Sequence, residues 1–207
     1  GLGNPGGEYE KTRHNAGFLF ADYFFEKFRD EFGFSDWKLE KKMKSEISVG
    51  KLKAGARLYL ASDVVPKTQT KGAGYNPAPA QGYNPAPAQR IILLKPQTFM
   101  NLSGEAVSAA KKYYKVKLED IIVAHDDIDL MLGKYKVSKD STSAGHNGAQ
   151  NIIDLVGTKN FTRIRIGVEN RKDRKIATEK YVLGKFTAGE MKIVKKIIKE
   201  SSGELII

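Results

Sequence analysis

Each of the three histidines in this 207-residue chain is followed directly by a carboxamide or a carboxylate, as His14-Asn15, His125-Asp126 and His146-Asn147. Two more asparagines, Asn4 and Asn101, sit in glycine-marked stretches of the same kind. A neutral imidazole supported by a carboxylate can take a proton from water, while side-chain amides hold a carbonyl substrate for attack. The chain has no cysteine and no Gly-x-Ser-x-Gly turn, so water is the nucleophile this set of residues can offer. Asp126, Asp127 and Asp129 crowd behind His125, which suggests metal binding or orientation of a histidine. A metal site lacks a companion such as His-Glu-x-x-His here. An aspartate accepting from an imidazole N–H would instead fix the tautomer and stabilise the imidazolium, and Asp126 is the residue chosen for that role.

The segments that must position these groups alternate between strand and helix patterns. Phe18, Ala21, Phe24, Phe25, Phe28 and Phe32 recur at three- and four-residue steps before Gly33, which predicts an amphipathic helix over 16–32 with a glycine stop. Strands are expected at 46–52, 56–61 and 91–94, able to share one sheet, and at 120–124, 134–137 and 163–168. Helices are expected at 103–114, at 148–156 and from about 188. This order predicts a single-domain, three-layer α/β/α sandwich with a mixed, largely parallel central sheet and a site at strand C-terminal ends. The opening Gly1-Leu2-Gly3-Asn4-Pro5-Gly6 formally matches a dinucleotide fingerprint, but Pro5 removes an amide donor and Asp22 falls inside the predicted helix. The glycines are read as a tight turn that lifts Asn4 into a cleft, its amide able both to donate and to accept. Such a loop normally follows a buried strand, so a first strand is expected to be missing ahead of Gly1.

Bulk composition narrows the partners. Lysine and arginine number 35 against 24 acids, a net charge of +11, and a polyanion such as nucleic acid is the natural counterpart. No apolar run approaches the roughly 18 residues of a spanning helix, so no membrane partner is expected. The lack of cysteine fits an intracellular protein. Residues 66–90 form a proline-rich insertion built on Gly-Tyr-Asn-Pro-Ala-Pro-Ala-Gln written twice, expected as an extended loop too short to stack as a repeat.

Five segments, in order, carry a resemblance: Gly-Leu-Gly-Asn-Pro-Gly with Tyr9 and Thr-Arg-His-Asn-Ala-Gly-Phe; Lys-Pro-Gln-Thr-Phe-Met-Asn-Leu-Ser-Gly; His-Asp-Asp-Ile-Asp-Leu; Gly-His-Asn-Gly; and Phe-Thr-Arg-Ile-Arg-Ile-Gly. Together they resemble the bacterial-type peptidyl-tRNA hydrolase family over nearly the whole chain outside the insertion. The resemblance implies a monomeric, cytoplasmic α/β/α enzyme without metal or cofactor. Its reaction would be cleavage of the ester between a peptide and the 3′ end of tRNA, recycling tRNA from stalled translation. By motif, His14 corresponds to the catalytic base, Asp126 to its supporting carboxylate and Asn4 to the residue that distinguishes a blocked amino group. Tyr9, Phe99, Asn101 and Asn147 correspond to substrate-binding positions, with Met100 and His146 beside them. The loop before His146 is poorer in glycine than is usual in that family. For phosphate, the candidates are Lys134, Lys136, Lys139, Arg163 and Arg165, with Lys136 and Arg165 foremost; the stripe Lys192, Lys195, Lys196 and Lys199 reads as a solvated helix face. A metal-dependent hydrolase and a non-catalytic RNA-binding module are the alternatives.

Overall fold

Phenylalanine spacing sets the first helix. In the computed structural model, which describes residues 1–52, 59–60 and 90–206, α1 spans Ala16–Phe32 and buries Phe18, Phe20, Phe24 and Phe32. It ends where Gly33 adopts φ 58°, a left-handed conformation that costs glycine nothing. Strands β1 (Lys38–Glu40), β2 (Ser45–Lys51) and β4 (Arg90–Pro96) form an antiparallel sheet, with Ser45 opposite Pro96 and Lys51 opposite Arg90. β3 (Tyr59–Leu60) pairs instead with β8 (Leu205–Ile206), so the three expected early strands do not share one sheet. The octapeptide repeat lies outside the described residues. Arg90, placed at the end of the insertion by its sequence, begins β4.

The second half carries α2 (Ser103–Tyr114), β5 (Ile122–Met131), β6 (Tyr135–Lys139), α3 (Asn147–Val156), β7 (Thr162–Glu169), α4 (Thr178–Val182) and α5 (Ala188–Ser202). β7 lies between β5 and β6, parallel to the first and antiparallel to the second. The sheet is therefore mixed, as expected, but not largely parallel: β5 with β7 is the one parallel ladder among the described residues. The reason is connectivity. α3 is a crossover that returns the chain parallel to β5, whereas the β1–β2–β4 group folds back strand upon strand.

Side-chain alternation sorts each strand between two faces. Ile91 and Ala124 join Phe20, Phe24, Ile164, Ile166, Val194 and Ile198 under α1 and α5. Val123 joins Leu2, Met100, Ile152 and Phe161 on the side of α3, and Ile92 and Leu94 meet Ala110 of α2. Helices thus cover both faces, giving a single-domain, three-layer α/β fold. Residues 1–2 run between β4 and β5, where the Leu2 N–H donates to the Ala124 carbonyl at 2.9 Å. A mainly apolar cavity of about 520 Å³ lies there, bordered by residues 91–94 of β4 and 121–124. Among the described residues no helix is long and apolar enough to cross a membrane.

Candidate active site

The turn Arg13–Asn15 delivers His14 to the start of α1. Its position is fixed from three sides. Gly17 brings α1 against backbone on both sides, since a Cβ there would collide with the Ala124 carbonyl and with Leu2. Arg13 donates from Nη2 to both oxygens of Glu190 at 3.0 and 3.1 Å, and its guanidinium lies 4.2 Å from the Tyr181 ring centroid. Glu190 also completes a capping box with Thr187 at the start of α5. Backbone bonds from Arg13 N–H to Gly184 and from Phe186 N–H to Lys11 tie the turn to the same segment.

The strand expected at 120–124 runs further, since β5 continues through Asp126 to Met131. The regular parallel pairing with β7 shifts between Asp127 and Met131, so the carboxylate stands beside that irregularity. Its oxygens lie 2.9 and 3.1 Å from His14 Nδ1. Oδ1 also lies 3.0 Å from His146 Nε2. Both imidazoles share one carboxylate oxygen. Burial alone would push this carboxyl up, but His146 and His14, by charge and hydrogen bond, hold it well below the usual carboxylate range.

Hydrogen bonding assigns the tautomers. His146 Nδ1 accepts from the Ala149 N–H at 3.2 Å as the cap of α3, so the proton of its neutral form resides on Nε2 and points at Asp126. An ionised Asp126 can only accept, so His14 donates from Nδ1 and its Nε2 retains a lone pair. His125 is fully buried and donates from Nδ1 to the Asp126 carbonyl at 2.6 Å. Burial, reinforced by His146, lowers its pKa well below the ordinary histidine value despite the neighbouring carboxylate. It packs edge-on against the His146 ring, 4.5 Å between centroids, and takes no part at the surface.

Asn15 was prominent in sequence only as the neighbour of His14, yet it holds Asn4. It accepts the Asn4 N–H at 2.9 Å and returns Nδ2 to the Asn4 carbonyl at 3.0 Å. The Asn4 side chain accepts the Met100 N–H through Oδ1 at 2.8 Å. One acceptor site of this amide is thus taken up by Met100, and Nδ2 is the donor it offers a ligand.

The remaining candidates separate. Tyr9 and Phe99 meet edge to face with centroids 6.4 Å apart, and Phe99 is 59% exposed. Asn101 and Asn147 are exposed and border one cleft. Met100 is 3% exposed and His146 is 8% exposed, so these two support the site from beneath. Neither Asn101 nor Ser103 caps α2: its cap position is Leu102 and no side chain caps it. Lys136 and Arg165 are opposite each other on β6 and β7. Lys136 is exposed, while Arg165 is ion-paired with Asp127. Arg163 is corrected as a phosphate candidate. It is 0% exposed and bonds Ser141 in the loop before His146, a loop where Asp140 and Ala144 hold φ of 49° and 50°.

His14, Asp126 and His146 also bring three potential metal-ligand atoms within 4.8 Å of one another. Those atoms already serve each other as donors and acceptor. A cation taking His146 Nε2 would need the proton moved to Nδ1, against the Ala149 N–H, breaking the α3 cap. The three acidic residues 126, 127 and 129 do not converge, because Asp127 turns to Arg165 and the Asp129 N–H.

An α/β fold with an imidazole, a buried carboxylate and a carboxamide-lined cleft has the equipment of a hydrolase that uses water. A family model described as peptidyl-tRNA hydrolase matches residues 1–206. The peptidyl-tRNA hydrolase of Caldanaerobacter subterraneus subsp. tengcongensis is 37% identical over 207 residues, 100% of this chain and 89% of that protein. That of Bacillus cytotoxicus is 36% identical over 202 residues, 98% of this chain and 87% of that one. A crystal structure of peptidyl-tRNA hydrolase from Acinetobacter baumannii matches with a TM-score of 0.69 at 29% identity, covering 96% of this chain and 81% of that one. The chain belongs to the peptidyl-tRNA hydrolase family, and it is a hydrolase acting on the ester bond of peptidyl-tRNA.

Proposed function

We propose that His14 is the general base of this hydrolysis and Asp126 its supporting carboxylate. One observation carries the assignment: the 2.9 Å contact from Nδ1 to Asp126 leaves Nε2 as the basic nitrogen. Nε2 takes a proton from water as its oxygen attacks the ester carbonyl carbon. The tetrahedral intermediate then expels the 3′ oxygen of tRNA, which takes that proton back, leaving a peptide acid and a free 3′ hydroxyl. The N–H groups of Asn147 and Gly148, at the start of α3, have no hydrogen-bond partner among the described residues and suit the developing oxyanion. Lys136 and Arg165 supply cationic contacts to phosphate, and Tyr9, Phe99, Asn101 and Asn147 line the approach. The protein works as a monomer in the cytoplasm, without cofactor, metal or membrane, on tRNA left attached to peptide by stalled translation.

Asn4 selects the substrate through Nδ2, which donates to a peptide carbonyl that a free aminoacyl group lacks. Asn4→Ala should therefore cut kcat/KM for N-acetyl-aminoacyl-tRNA by about tenfold or more, an energy in the range of one unmade hydrogen bond. The slow reaction with unblocked aminoacyl-tRNA should change little. Timed release of tRNA from the two substrates measures the ratio, and an unchanged ratio removes the role. Because the donor atoms of the two histidines and Asp126 satisfy one another, activity should also survive prolonged dialysis against a chelator. Loss of activity on dialysis, restored by zinc or manganese, would favour a metal centre on the same three residues.

A further inference from the structure

The polar face of α3 runs on from Asn147 towards the end of the helix. Asn147, Gln150, Asn151 and Asp154 follow the i, i+3, i+4, i+7 spacing of one helix face. With Asn101 they line an open cleft of about 320 Å³.

Their hydrogen bonds settle what the wall presents. Gln150 Nε2 donates to Asp154 Oδ1 at 2.8 Å, which leaves Gln150 Oε1 as an acceptor. Asn151 Oδ1 accepts the Gly104 N–H at 2.8 Å, which leaves Asn151 Nδ2 as a donor. Alternating amide donors and acceptors suit the C=O and N–H groups of an extended peptide. No lining residue is cationic, so a phosphate backbone finds no counter-charge in this cleft. Asp154 forms no ion pair among the described residues, although the chain carries a net charge of +11. It lies in the last turn of α3, where the helix dipole adds to its negative potential. The Asn147 end, beside His146 and Asp126, has the opposite polarity and suits the reacting ester oxygen.

We infer that this cleft is a peptide subsite that selects a positive charge about three residues upstream of the ester. From Asn147 to Asp154 the helix rises roughly 10 Å, at about 1.5 Å per residue. An extended chain covers that distance in about three residues. A lysine or arginine there meets Asp154, while the peptide groups between it and the ester pair with Gln150 and Asn151. The inference rests on the proposed direction of attack at His14.

The test uses the whole protein and N-acetyl-tripeptidyl-tRNAs that differ only at the third residue from the ester, Lys, Gln or Glu. An exposed charge contact predicts kcat/KM about two- to fivefold higher for Lys than for Glu. The preference should shrink at about 0.5 M salt. Asp154→Asn should bring the Lys/Glu ratio to about one, and Asp154→Lys should invert it. A merely structural role for Asp154 would move all three substrates together and leave the ratio alone. Full hydrolysis with a wild-type ratio of one overturns the subsite. So does an Asp154→Lys variant that instead binds deacylated tRNA more tightly, which would put nucleotide in the cleft. Failure to hydrolyse any of the blocked substrates would overturn the proposed reaction itself.

Discussion

His14→Ala lowers kcat on N-acetyl-aminoacyl-tRNA by about 10²–10⁴, the contribution of a positioned base. The fold should stand, because the His14 side chain is partly exposed and Asp126 keeps its bond to His146. Loss of one hydrogen bond to a buried carboxylate should cost about 1–3 kcal/mol of stability. Single-turnover release of tRNA measures the first effect and a denaturant titration the second. Turnover near the wild-type rate in a folded variant would exclude His14 as the base. Collapse of the fold would instead make the contact to Asp126 chiefly structural.

Asp126→Asn should slow the reaction by up to about 10⁴, since the amide no longer enforces the His14 tautomer or neutralises the imidazolium. Its second signature is in pH. It is read in the stability of the fold. A carboxyl held below its ordinary range contributes stability that is fully present above about pH 4 and is lost as pH falls towards its folded value. The variant lacks that contribution, so its stability should fall less steeply with acid over the same window.

The residues explain which of these features were legible in the chain. α1 and α2 follow from apolar periodicity and from Gly33, because a helix writes its packing face at three- and four-residue steps. The extent of β5 does not. A run of acidic residues looks like a loop, and it stays extended only because Asp126 is paired with His14 and His146 and Asp127 with Arg165, partners at least 20 positions away. The longer strand puts the carboxylate within the ladder, where the expected one ended just before it. The sequence marked His14, Asp126 and Asn4, but not the atom each has left to use, which depends on Met100 and Asn15 for Asn4 and on Ala149 for the tautomer of His146. Arg163 shows the reverse error: an arginine on a strand face suggested phosphate, and the fold buried it against Ser141. The helix at 148–156 was expected, but not that its Asn147-to-Asp154 face borders a cleft, because that depends on the distant turn at Asn101, which no local pattern records.

The knot between Arg13, Tyr181 and Glu190 joins groups 168 and 177 positions apart. During synthesis, the turn bearing His14 therefore lacks its final support until the stretch through Glu190 has emerged from the ribosome. A hydrolase of peptidyl-tRNA is itself peptidyl-tRNA while it is being made. A chain that stops short of Glu190 therefore lacks the anchor of the turn that carries its base.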